Sequence, residues 1–569
     1  MISPASRTGA CLVCGLLALL SIVVVLTRTA GAQNQPDASR LEHTDREPQN
    51  WLTYYGNYAG WSYSPLDQIT RQNVKKLVPV WSFAAGVSNP GLRQGLEAAP
   101  LVVNGVLYLV GMQNNVYALD AATGRIRWTY TYKWPQEGVP PGPRGARGLA
   151  FGDARIYMGT QDNHLVALDA ESGREVWNVE VQDASKCNCG MTSAPLFIGG
   201  KIIAGSAGGD LGYMRGYVNA FDAESGKQIW HFEVIPAPGE PGSETWMGDQ
   251  NAWKVGGGAP WFTGTYDPEL HLTFWGTGNA YPDYDGETRP GDNLYTNSLL
   301  ALDVNSGKLK WYFQETPHDV YDYDSASEAI ILNLNVSGQN RNVLLHPGKN
   351  GFVYVYDRGT GRFLYSFPYG KPTWNKGIGR DGKPIDPVDP KKLKEFLLCP
   401  ATQHGARGIS HSAYSPHTGW WYSTDFEYCS YIKGPGVPNQ GVINPAVPPN
   451  ISAFDPATGA KQWQFNTKYF NVSSLLATAG DLVFAGDLEG NAFALDARTG
   501  QKLWSFNTGG RIVSPPIAFS LNGRQYVTIS TGGGSSTEAI VPRLWPEAAG
   551  HTPQPTSALF VFALPQDNP

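Results

Sequence analysis

The chain has 569 residues, and 41% are hydrophobic, enough for a large core. Only 16% are charged, the formal net charge is -6 and no basic runs occur, which removes the usual support for nucleic-acid binding. Gly 66, Pro 42 and Trp 18 point to many turns and many aromatic packing units.

The first predicted element is a secretory signal. Arg7 supplies the positive start, Cys11 to Leu26 is an almost unbroken apolar run, and Ala30-Gly31-Ala32 has the small residues of a cleavage site. Cleavage is expected after Ala32, leaving 33–569 as one exported domain without a stable membrane span. An uncleaved anchor is the rival reading, against which the apolar run is short for a bilayer. Export removes Cys11 and Cys14. The four cysteines that remain, Cys187, Cys189, Cys399 and Cys429, favour disulfides in an oxidising compartment. Cys399–Cys429 would close a surface loop. Whether Cys187 and Cys189 pair with each other stays open, since bridges so close in sequence are strained. No CxxCH occurs, so no covalent haem is expected.

From Ala118 onward one pattern recurs: Ala-apolar-Asp-x-x-Thr/Ser-Gly-x-x-x-Trp. Its aspartates are Asp120, Asp169, Asp222, Asp303, Asp357, Asp455 and Asp496, and its aromatic ends run from Trp128 to Trp504, with Tyr365 replacing Trp once. A β-rich run ends at the Asp, whose carboxylate opens a turn. The Gly closes it, and the next strand runs out to an aromatic ring that packs between units. Each copy follows another apolar run, such as Val102 to Val110, so each unit reads as a four-stranded blade of an all-β fold, a β-propeller. Two long intervals hold degenerate copies, Tyr266-Asp267-Pro268 to Trp275 and Tyr414-Ser415-Pro416 to Trp421. Eight blades are expected, with seven as the fallback, and ring closure should pair Val78 to Phe83 with Leu559 to Leu564.

A propeller alone is equally a scaffold, and the repeat resembles that of the outer-membrane assembly lipoprotein, which binds partners and no cofactor. The segments 130–150, 231–300, 313–330, 366–411 and 505–557 are long, rich in Gly, Trp, Pro and carboxylates, and are expected to build a functional face.

Within them stand Gly256-Gly257-Gly258-Ala259-Pro260-Trp261, Trp275-Gly276-Thr277-Gly278-Asn279, Arg289-Pro290-Gly291-Asp292-Asn293, the run Thr316 to Asp324, and His346-Pro347-Gly348-Lys349-Asn350-Gly351. In this order the segments resemble the quinoprotein alcohol dehydrogenases of the methanol and ethanol dehydrogenase type, over Trp51 to Phe562. The resemblance implies pyrroloquinoline quinone (PQQ) lying across the propeller axis, with Trp261 as its floor. It also implies a metal held by Asp210, Asn279 and Asp322. Asp324, two residues on, looks like the extra ligand of the lanthanide-dependent branch. In an extended segment it would face the same way as Asp322. A lanthanide is therefore favoured slightly over calcium. Asp322 is the implied general base and Lys349 the donor to the quinone oxygens. Glu97, Arg147 and Thr192 would grip the cofactor's carboxylates and edges, and Gly208 and Gly209 would let backbone amides approach the ring. Each has a plainer alternative: a packing Trp, a surface Lys, a turn Asp, a merely structural polar group.

The chain also departs from the family. Pro141-Gly142 stands where the family often has two adjacent cysteines, Asp210 where it usually has Glu, and Gly408 and Val472 where it has an Asn and a Trp near the quinone. A wider pocket follows as an expectation, so the substrate could be bulkier than methanol: polymeric, cyclic, sugar-like, or an aldehyde. The leading expectation is a periplasmic dehydrogenase oxidising an alcohol and passing electrons to a separate cytochrome c. The alternative is the cofactor-free scaffold. Oligomeric state is left open, a homodimer among the options.

Overall fold

Each copy of the repeat folds into a hairpin turn built by its own residues. Asp222 Oδ1 accepts hydrogen bonds from the Ser225 amide (2.8 Å) and hydroxyl (2.6 Å), and the same arrangement recurs at Asp169, Asp303 and Asp357. The glycine that follows sits at positive φ, as Gly500 does at 72°, and carries no Cβ because an indole occupies that space. A Cβ on Gly173 would lie 2.5 Å from the Trp128 ring, one on Gly307 2.6 Å from Trp230, and one on Gly500 2.6 Å from Trp463. Each ring comes from the preceding unit. Its Nε1 then donates to the carbonyl just after the next unit's Asp: Trp128 to Ala170, Trp177 to Ala223, Trp230 to Val304 and Trp463 to Ala497, all at 2.9–3.1 Å. Where Tyr365 replaces Trp, its hydroxyl makes the equivalent bond to Pro456 O. The repeat is thus a chain of locks, ring into glycine, from one blade to the next.

The computed structural model describes Met1 and residues 37–86, 95–134, 145–433, 441–443 and 447–566. The secretory segment and Pro141-Gly142 lie outside the described residues. Eight four-stranded antiparallel blades follow in chain order: 101–130, 150–180, 196–233, 265–314, 330–368, 413–466, 476–507 and finally 517–563 with the strand Val78–Ala84. Blade seven takes a fifth strand, Tyr63–Ser64, parallel to Leu476–Thr478. Ring closure is as expected: Val78–Ala84 pairs with Ala558–Ala563, Phe83 opposite Leu559. Trp81 on that closing strand packs against Gly124 of blade one, so the lock also crosses the seam.

The count of eight holds, but the degenerate copies are not extra blades. Tyr266-Asp267-Pro268 and Tyr414-Ser415-Pro416 are the inner hairpins of blades four and six, whose outer hairpins carry Asp303 and Asp455. Inner strands are buried on both faces between neighbours, as at Leu101–Val103 and Leu482–Gly486. Outer strands such as Ile126–Tyr130 are half solvated. Both cysteine pairs are bridged. Cys399–Cys429 does not lie at the surface as expected; both residues are buried, and the bridge pins the segment from Cys399 to the strand Tyr428–Ile432. Among the described residues no helix is long and apolar enough to cross a membrane.

Candidate active site

In an antiparallel four-stranded blade, the loop entering the innermost strand and the loop between the second and third strands lie at the same end. The repeat turns lie at the other. Glu97, Arg147, Thr192, Trp261, Asp322 and Asp324 come from entering loops. Gly208, Asp210, Asn279 and Lys349 come from second-to-third loops of blades three, four and five. Topology alone therefore delivers the sequence-selected residues to one face around a cavity of about 290 Å³, whose lining leaves out Glu97, Arg147 and Asn279.

Trp261, Asp210, Asp322, Asp324, Lys349 and Thr192 line this cavity. Trp261 is held from behind: Arg147 Nη1 donates to its carbonyl (2.9 Å) and to Thr192 Oγ1 (3.1 Å), and the Arg147 guanidinium lies 5.2 Å from the indole centre. Buried Glu97 pairs with Arg147 Nε at 3.5 Å. Lys349 Nζ lies 5.9 Å from the same indole centre, so two cations flank one aromatic plate.

Lys349 Nζ donates to Asp324 Oδ2 at 2.5 Å, to Gln403 O at 2.7 Å and to Asp322 Oδ1 at 3.4 Å. Burial opposes its charge, but Asp322 and then Asp324 outweigh burial and hold the ammonium's pKa above its ordinary value. Asp322 is the less compensated partner. Burial pushes its pKa well above the ordinary carboxylate range; Lys349 opposes this, and Asp324, Asp210 and Asp283 add to it. The backbone of Asp322 is at φ 63°, not extended as the spacing implied, because Asp319 caps the turn by accepting from the amides of Tyr321 and Tyr323, both at 3.1 Å. Both carboxylates nonetheless reach the cavity. Asp324 Oδ1 also accepts from the Asn279 amide (2.8 Å), a contact that a Cβ on Gly278 would block at 2.9 Å.

Two expected residues sit differently. Gly208 lines the cavity, but Gly209 turns its Cα toward Ala259 and Gly257 and makes room for backbone packing. Gly408 is in the wall, whereas Val472 is buried in the apolar cluster with Phe470 and Leu488.

The sequence reading missed Asp283, Gln403, His404, Ile409, Ser536 and Thr537, all in the lining. Their only prior signal was membership of the long segments. Asp283 Oδ1 accepts from Asn279 Nδ2 at 2.9 Å. Burial, and then repulsion from Asp210, raises its pKa to about 7. The motif Arg289 to Asn293 also gains a role. Arg289 is fully buried and donates to Pro282 O (2.7 Å) and Asp319 O (2.6 Å), tying the Asn279–Asp283 loop to the Asp319–Asp324 loop.

The charged lining is four aspartates, Asp210, Asp283, Asp322 and Asp324, against one lysine, a formal net of −3 when all four carboxylates are ionised. Hard oxygen donors with uncompensated negative charge fit a multivalent cation. A flat indole with two cations within 6 Å of its centre fits a planar polyanion. Among the described residues no three His, Cys, Asp or Glu side chains already converge as a finished metal site; Lys349 stands against Asp324 and Asp322 in that space.

The family model for the glucose/ethanol/alcohol dehydrogenase β-propeller domain (PQQ) matches residues 51–371, and the model for outer membrane protein assembly factor BamB matches 449–541. Quinoprotein alcohol dehydrogenase PedH of Pseudomonas putida is 34% identical, over 91% of this chain and 92% of its own length. Putative dehydrogenase XoxF of Paracoccus denitrificans is 32% identical, over 90% of this chain and 91% of its own. A solved europium-containing methanol dehydrogenase superposes with a TM-score of 0.83 at 30% identity, covering 93% of this chain and 100% of that one. With a propeller of eight blades, a match across the family's own domain and relatives aligned over nearly their whole length, the chain belongs to the PQQ-dependent alcohol dehydrogenases.

Proposed function

We propose that this chain is a periplasmic dehydrogenase that binds PQQ and one metal ion, oxidises an alcohol to an aldehyde or ketone, and passes electrons to a cytochrome c. The observation that carries the reading is the gathering of four aspartates and Lys349 against the Trp261 indole in one cavity. When bound, the quinone supplies a two-electron acceptor and the metal a Lewis acid beside it. Trp261 offers the apolar face. Lys349 in the lining and Arg147 behind Trp261 place positive charge within 6 Å of the indole centre, as a cofactor with three carboxylates needs. Asp210, Asn279, Asp322 and Asp324 offer the ion hard oxygens, and its entry requires Lys349 to release Asp324.

Asp322 takes the proton of the substrate hydroxyl. It lines the cavity, it is less well paired than Asp324, and its strained turn is fixed by Asp319 and Arg289, so the acceptor oxygen is held in place before substrate arrives. A lining of net −3 favours a lanthanide over calcium, because a trivalent ion gains more from each added carboxylate. The europium named for one solved relative supports the same choice. Gly408 is part of the wall, but Thr537 Oγ1 and the Phe426 ring already fill the space beside its Cα, so the glycine itself adds no room for a bulkier alcohol. The cytochrome acceptor rests on the absence of CxxCH, and the periplasmic address on the leader up to Ala32.

The test is reconstitution of the purified protein with PQQ plus either lanthanum or calcium, followed by dye-linked assay of an alcohol panel. Asp324→Ala should abolish lanthanide-supported turnover. Neither quinone absorbance nor turnover with either ion would leave the scaffold reading standing.

A further inference from the structure

Asp283 belongs to none of the motifs, yet it lines the same cavity as Asp210, Asp322 and Asp324. It stands four residues after Asn279, in a loop whose backbone Arg289 clamps at the adjacent Pro282 carbonyl. Its Oδ1 is engaged by Asn279 Nδ2 at 2.9 Å. That bond does two things. It leaves Oδ2 of Asp283 as a second acceptor on a carboxylate at the cavity wall. It also commits the amino end of the Asn279 amide, together with the contact to Ala280 O at 3.3 Å, so that Oδ1 is the end of Asn279 left to act as a ligand.

The carboxylates that share its cavity are those of Asp210, Asp322 and Asp324, all of its own sign. Lys349, the cation of the cavity, is spent on Asp324 and Asp322. A carboxylate held by a clamped loop against like charges gains most from a cation placed among them.

We propose that Asp283 is a fifth oxygen donor of the metal site, beyond Asp210, Asn279, Asp322 and Asp324, and that its charge tilts the site toward a trivalent ion. This rests on the metal-dependent reading above. The added donor also compensates for the short reach of Asp210, an exposed residue one methylene shorter than Glu in the turn after Gly208.

The test uses the full mature protein without PQQ and reads binding rather than turnover. Terbium and calcium are titrated into wild type and Asp283→Asn, and europium luminescence lifetimes in H2O and D2O count the waters on the bound ion. The asparagine keeps an oxygen that can accept from Asn279 Nδ2, so orientation of Asn279 survives while the charge goes. Asp283→Asn should weaken terbium about tenfold or more, weaken calcium less, and add about one water to europium, since ligand charge count sets affinity. Asp283→Glu should keep the affinity order of wild type. Should Asp283→Asn lose its far-UV circular dichroism, Asp283→Ser takes its place under the same readouts. Unchanged terbium affinity and water count overturn the proposal, and equal loss for both ions overturns its selectivity half. Wild type that binds neither ion overturns the metal reading itself, a result distinct from an effect confined to Asp283.

Discussion

If the blades are locked by rings seated on glycines, a single methyl group at one seat should be costly in a way that depends on the ring. Gly500 is the clearest seat. Its φ is 72°, and an added Cβ would lie 2.6 Å from Cε3 and 2.8 Å from Cδ2 of buried Trp463. Alanine there bears about 1–2 kcal/mol for the left-handed backbone and about 1–3 kcal/mol more for forcing the indole aside. Gly509 isolates the first part, because its φ is 77° and nothing lies within 4 Å of an added Cβ.

The cycle is therefore Gly500→Ala, Trp463→Ala and the double variant, with Gly509→Ala as control, each unfolded in urea and followed by far-UV circular dichroism. Trp463→Ala alone should cost about 3–5 kcal/mol. In that background Gly500→Ala should fall to the cost of Gly509→Ala, giving a coupling of about 1–3 kcal/mol. Gly500→Ala no worse than Gly509→Ala, or additivity within about 0.5 kcal/mol, would refute the lock.

Gly278→Ala should weaken terbium binding by about tenfold, because its Cβ displaces Asp324 Oδ1 from the Asn279 amide while leaving every charge in place; titration against wild type checks it. Burial pushes the His411 imidazole down from 6.5 to about 4, so the folded protein keeps it neutral while the unfolded chain protonates it. Stability should accordingly fall as pH drops from 6.5 toward 4, by about 3 kcal/mol from this residue. The difference between wild type and His411→Gln in urea midpoints across that range isolates the effect, and parallel curves would contradict it.

The propeller was legible because its signal is local. Asp, Ser or Thr, Gly and Trp of one copy build one turn within a dozen residues, and repetition supplies the architecture. The blade number was reached with two inner hairpins mistaken for worn copies, since Tyr266-Asp267-Pro268 makes the same Asp-type turn without being a unit. Motif residues in the loops next to blade strands were the ones the sequence could place at the cavity, as with Trp261 and Lys349. The site was not legible where tertiary contacts decide. Asp283 reaches the cavity because buried Arg289 clamps the Pro282 carbonyl from seven residues on, a tertiary contact the sequence does not carry, and a lone aspartate between Pro282 and Tyr284 looks like any surface turn. Gly209 and Gly208 read alike, yet only one backbone face is turned to the cavity. Asp322 and Asp324 share a destination through a left-handed residue rather than through a strand, which no period-two rule anticipates.

The central claim is that one indole plate beside a cation-seeking acid cluster binds a planar quinone. It is tested most directly by absorbance titration of PQQ into the purified protein with lanthanum present, wild type beside Trp261→Ala. Saturable binding of one PQQ per chain that requires the ion is expected, weakened about tenfold or more when the indole is removed. PQQ that fails to bind with lanthanum or calcium, or that binds Trp261→Ala as tightly as wild type, would contradict it.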